Sequence, residues 1–96
     1  MSTSDDVRAG STFDPARGYR CSPSVALRPE PFGALAYHFG TRRLSFLKSR
    51  TLLAVVESLA EQPSARAACE AAGVTSDQLP QYEKALSTLA DTGMIE

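Results

Sequence analysis

The chain has no tryptophan, a single histidine and only two cysteines among its 96 residues. Each scarcity removes a class of function. His38 has no partner at metal-ligand spacing, and Cys21 and Cys69 lie far apart with no CxxC between them, so a structural zinc site is excluded. Nucleophilic catalysis needs a nucleophile, a base and an orienting group, and one histidine beside alanines on a strand is a poor base. Gly33 and Gly40 fit strand ends and turns, so there is no glycine-rich phosphate loop. No apolar run approaches the roughly 18 residues of a membrane helix. No charged segment followed by an apolar one opens the chain, so no secretory signal is expected, and the thiols are expected free in the cytoplasm. At 10.3 kDa the chain makes one small domain, too small for a deep enzyme pocket. The expectation is a protein that is not an enzyme and needs no cofactor or metal.

What is present is charge, unevenly placed. The formal net charge is −1. Residues 1–16 carry Asp5, Asp6 and Asp14 against Arg8. Residues 17–50 carry Arg17, Arg20, Arg28, Arg42, Arg43, Lys48 and Arg50 against Glu30 alone, a net of +6. Residues 51–96 hold seven acids against Arg66 and Lys84, a net of −5. Solvation of the surface explains any one of these charges. A basic middle also steers an acidic partner.

Residues 1–22 are rich in Ser, Thr, Asp, Gly and Arg and show no apolar period, so a flexible N-terminal tail is expected, with a domain over 23–96. Val25 and Leu27 alternate with Ala26 and Arg28, a short strand that Pro29-Glu30-Pro31 is expected to stop. Leu35, Tyr37 and Phe39 alternate with Ala34, Ala36 and His38. Gly40-Thr41 supplies a turn, and Leu44 and Phe46 alternate with Arg43, Ser45 and Leu47. The period then changes to about 3.6. Ser49 is placed to cap a helix bearing Leu52, Val55, Val56, Leu59 and Ala60, and Ser64 to cap a short alanine-rich helix ending at Gly73. Leu79, Tyr82, Leu86 and Leu89 mark a third helix in which Pro80 falls within the first turn. The fold class expected is α+β, a three-stranded antiparallel sheet followed by three α-helices. The last two helices look like the helical half of a winged helix.

Two binding functions fit. A winged-helix DNA-binding regulator would read duplex with Asp77–Asp91, but Asp77, Glu83 and Asp91 against Lys84 make that segment a poor phosphate binder, so neither nucleic acid nor membrane is an expected partner. Peptide binding by strand addition fits better. Three strands leave an exposed edge, and the third, Arg42 to Lys48, offers backbone groups to an extended guest. Arg42, Arg43 and Lys48 favour an acidic peptide, Leu47 offers apolar contact, and the third helix forms the other wall. The same edge could also pair two copies as a homodimer.

The stretch Val25-Ala26-Leu27-Arg28-Pro29-Glu30-Pro31-Phe32-Gly33, followed by Tyr37-His38-Phe39-Gly40-Thr41-Arg42-Arg43-Leu44-Ser45-Phe46-Leu47, resembles the small chaperones of mycofactocin biosynthesis. The helical end, closing on Thr92-Gly93-Met94-Ile95-Glu96, is similar to the peptide chaperones of pyrroloquinoline quinone biosynthesis. Both are recognition elements for ribosomally made precursor peptides. The resemblance implies a winged-helix-like fold with its strands first and a short precursor peptide added as a fourth strand beside the third, against the third helix. It also implies a second partner, a radical-SAM maturase whose iron–sulfur clusters are its own, and which in the mycofactocin case decarboxylates and crosslinks a terminal Val-Tyr pair. Carried onto this chain, the peptide site is expected at Arg42, Arg43, Ser45, Phe46, Leu47 and Lys48 of the strand and at Tyr82 and Leu86 of the helix.

Overall fold

The computed structural model describes residues 13–96. Strands Val25–Glu30 (β1), Gly33–His38 (β2) and Leu44–Leu47 (β3) precede helices Arg50–Ser58 (α1), Ala65–Ala71 (α2) and Leu79–Asp91 (α3). The strands form one antiparallel sheet in the order β1-β2-β3, so both β1 and β3 are edges. Class and element order are those the sequence leads one to expect.

The helix ends follow from their capping residues. Ser49 Oγ accepts from Leu52 N–H at 3.0 Å and Ser64 Oγ from Ala67 N–H at 3.0 Å. Each satisfies a donor that has no partner within its helix. Leu52, Val55, Val56 and, in the short 3₁₀ turn Leu59–Glu61 that follows α1, Leu59 are buried together with Ala34, Ala36 and Leu47 of the sheet. Alanines on the inner face of β2 let α1 approach closely, and the larger side chains of the helix fill the layer between them.

The strand Val25–Glu30 runs through Pro29 and Glu30, where the sequence placed its end. Phe39 N–H donates to Ser24 C=O at 2.8 Å. The antiparallel alternation that starts there directs the backbone of Ala26, Arg28 and Glu30 toward β2 and that of Pro29 toward the open edge. A proline on an edge strand with its nitrogen facing outward removes no ladder bond.

Residues 1–12 of the expected tail lie outside the described residues. Phe13 to Ser22, read from sequence as the rest of that tail, are packed on the body of the domain. Tyr19 is buried, stacks on Phe13 at 5.0 Å between ring centroids, and its hydroxyl accepts from Asp14 N–H at 2.9 Å. Arg20 and Glu96 exchange both backbone hydrogen bonds at 2.9 Å and pair through their side chains at 2.6 Å. Ser22 N–H donates to Met94 C=O at 2.9 Å. The ordering partners are the C-terminal segment, more than seventy positions away, and the start of α2, where Ala65 and Arg66 N–H donate to Arg17 and Pro15 C=O at 2.9 Å, and no local pattern reveals either.

Candidate functional site

The β2–β3 register decides what β3 offers. His38 N–H donates to Arg43 C=O at 2.9 Å, and the pairs that follow are Tyr37 with Leu44, Ala36 with Ser45, Leu35 with Phe46 and Ala34 with Leu47. The antiparallel alternation therefore spends the backbone groups of Ser45 and Leu47 on β2 and leaves those of Leu44 and Phe46 facing outward. The outward edge is thus offset by one residue from Ser45. Leu47, expected as an apolar contact for a guest, is a core residue at 1% exposure.

Beyond that edge the chain does not close up. A groove of about 450 Å³ separates β3 from α3, lined on the strand side by Ser45, Phe46, Leu47 and Lys48 and on the helix side by Gln81, Lys84, Ala85 and Thr88. A smaller hollow of about 230 Å³ shares Lys48, Leu52, Gln81 and Ala85 with it and adds Ser49 and Tyr82. The Tyr82 hydroxyl lies 3.4 Å from Ser49 Oγ, linking α3 to the start of α1. Among the described residues no aspartate or glutamate lines either hollow, the charged groups there are Lys48 and Lys84, and neither makes an ion pair. Although α3 is acidic in sum, Glu83 is turned away to Arg66 of α2 at 3.4 Å.

Of the expected site residues, the structure brings Ser45, Phe46, Lys48 and Tyr82 to this groove, with buried Leu47 forming its floor. Arg42 and Arg43 sit in the β2–β3 turn, outside its lining, with Arg42 in the left-handed region at φ 61°. The His38 ring holds that turn: its Nδ1 accepts from Gly40 N–H at 3.0 Å and Thr41 N–H at 3.1 Å. Leu86 is fully buried in the core and forms no part of the groove wall. The helix-side wall that sequence reasoning missed is Gln81, Lys84, Ala85 and Thr88. Its signal is a stripe of small and polar residues at spacings of three and four beside the apolar stripe Tyr82-Leu86-Leu89. Among the described residues, no group of three or more His, Cys, Asp and Glu could hold a metal, and no helix is long and apolar enough to cross a membrane.

Comparison with known proteins adds a family to this geometry. The family model described as the peptide chaperone MftB family matches residues 18–96. The chain belongs to the peptide chaperone MftB family. It is 60% identical over 85 residues to the peptide chaperone MftB of Mycobacterium tuberculosis, covering 88% of this chain and 78% of that one. It is 54% identical over 92 residues to the peptide chaperone MftB of Mycolicibacterium smegmatis, covering 96% and 90%. The peptide chaperone MftB of Mycobacterium ulcerans is 61% identical over 83 residues, covering 86% and 76%. No solved structure matches the chain. The MftB family is named for chaperoning a peptide and not for a catalysed reaction. Its matched region begins at Gly18, so it includes the segment that pairs with the C-terminus.

Proposed function

We propose that this chain is a non-catalytic peptide chaperone of mycofactocin biosynthesis that captures the leader of an acidic precursor peptide and delivers it to a radical-SAM maturase. In this reading the leader lies in the groove as a fourth strand, antiparallel or parallel to β3, bonded to the outward backbone groups of Leu44 and Phe46. The observation that carries the reading is an open strand edge facing a groove whose charged groups, among the described residues, are Lys48 and Lys84. Main-chain hydrogen bonds supply affinity for any extended guest, and the lysines select an acidic one. Ordering the guest takes roughly 2–5 kcal/mol from the interaction energy. An affinity near micromolar, about −8 kcal/mol, is the expectation. Holding the peptide and the maturase together replaces a bimolecular encounter by a local one at an effective concentration on the order of millimolar.

The test is calorimetric titration of the precursor peptide into Phe46→Pro and Phe46→Ala. Proline removes the outward N–H while sparing the β2 ladder, so its affinity falls at least tenfold below that of the alanine variant. Equal affinities for the two variants would remove strand addition at this edge.

A further inference from the structure

The two edges of the sheet are not equivalent. On β1 the antiparallel alternation turns the backbone of Val25, Leu27 and Pro29 outward, and on β3 that of Leu44 and Phe46. A strand added at an edge needs N–H donors at successive outward positions. Leu44 and Phe46 each carry one. Along β1 the donors run short. Pro29 has no N–H to give. The N–H of Val25 is already spent on Ser22 C=O at 3.0 Å. Ser22 is itself buried, with its own N–H held by Met94 C=O at 2.9 Å, so this cap is pinned to the C-terminal segment. Leu27 is the outward donor that remains, with a closed position on either side of it.

The side chains act in the same direction. Arg28 and Glu30 flank Pro29 and pair with each other at 2.7 Å, so a strand laid along this edge must pass an ion pair. Between Leu44 and Leu47, β3 holds neither a proline nor a charge. Proline and charged side chains are the usual means by which an edge is kept from pairing. Pro29 is exposed and lies outside the core cluster, so packing does not account for a proline within the strand.

We infer that Pro29 closes the β1 edge to a further strand, above all to β1 of a second copy, and so leaves β3 as the edge at which an extended chain adds. The second half rests on the strand-addition reading given above; the first half stands without it. The consequence is that one sheet takes one guest. With both edges open, β1 of one copy would pair with β1 of another while β3 held the guest, and the sheet would grow across molecules.

Pro29→Val returns the missing donor and leaves the ladder to β2 untouched, and Pro29→Ala does the same with a weaker preference for strand. Pro31→Val is the control, since Pro31 lies in the turn beyond the strand. Each protein alone is followed by sedimentation velocity through a dilution series, after a thermal melt has shown it folded. One regained donor per copy is two per symmetric pair, so both Pro29 variants should self-associate about tenfold more tightly than wild type, with Pro31→Val unchanged. Hydrogen exchange should find the Leu27 amide protected in the associated Pro29 variants and exchanging freely in wild type. Pro29 variants that associate no more tightly than wild type overturn the inference. Equal association of Pro31→Val also overturns it, since loss of any proline would then suffice. Protection of Leu44 and Phe46 with Leu27 still free overturns it as well, because the new contact would then lie at β3. No peptide is present, so failure here leaves strand addition at β3 standing, and failure of strand addition leaves the closed β1 edge standing.

Discussion

The carbonyl oxygen of Leu47 occupies the space where a side chain on Gly33 would begin: a Cβ at Gly33 would lie 2.0 Å from it. The backbone of Ser49 is also within 2.9 Å of that position. Gly33 opens β2, so the close approach that joins β2, β3 and the start of α1 depends on an absent atom. Gly33→Ala is therefore expected to cost at least about 3 kcal/mol, a large share of the stability of a small domain. Urea denaturation checks this; a loss below about 1 kcal/mol would mean that β3 shifts freely.

Charge in the groove is testable through Lys48 and Lys84. Exposed ion pairs are worth about 0.2–1 kcal/mol each, so reversing both as Lys48→Glu and Lys84→Glu should weaken an acidic peptide roughly tenfold. The salt dependence should reverse, with added salt now strengthening binding. Affinity that stays unchanged across salt concentrations would show that the guest's acids lie elsewhere.

Leu86 belongs to the core, and its substitution should separate stability from recognition. Leu86→Ala is expected to lower stability by about 2–5 kcal/mol. At a temperature where the variant is still folded, its peptide affinity should match wild type. A selective loss of affinity in a fully folded variant would return Leu86 to the binding site.

The two thiols should be slow to react. Burial raises the Cys69 pKa above the ordinary thiol value, reinforced by Glu83 and Glu70, and burial followed by Glu96 raises that of Cys21. The thiolate is the nucleophile, so at pH 8 both should alkylate more slowly than a model peptide thiol, with fully buried Cys69 the slower. The folded state holds these protons more tightly than the unfolded chain does. Stability from this source is thus present below the ordinary thiol range and is lost as pH rises through the raised folded values. Mass-resolved alkylation with and without denaturant reads both sites; equal rates in the two conditions would contradict the burial.

Much of the fold was legible locally. Ser49 and Ser64 announce helices because a hydroxyl one residue before the helix meets an early N–H whatever the rest of the chain does. Alternation announced the strands for the same reason. It did not say which face is inner, because β2 is apolar on both. Close packing against α1 selects Ala34 and Ala36 for the inside and leaves Tyr37 and Phe39 out. The helical period likewise located α3 but could not separate the buried stripe of Leu86 from the neighbouring groove stripe of Ala85 and Thr88.

The sequence alone therefore specifies the elements, their order, their caps and the uneven charge, since each depends on residues a few positions apart. It also carried the family resemblance. The tertiary structure alone decided the rest. It joined Arg20 to Glu96, aimed the backbone of Leu44 and Phe46 outward in place of Ser45, and set Lys48 opposite Lys84 across one groove. Each of these depends on register or on contacts between distant segments, and a single residue of register exchanges what a strand buries for what it presents.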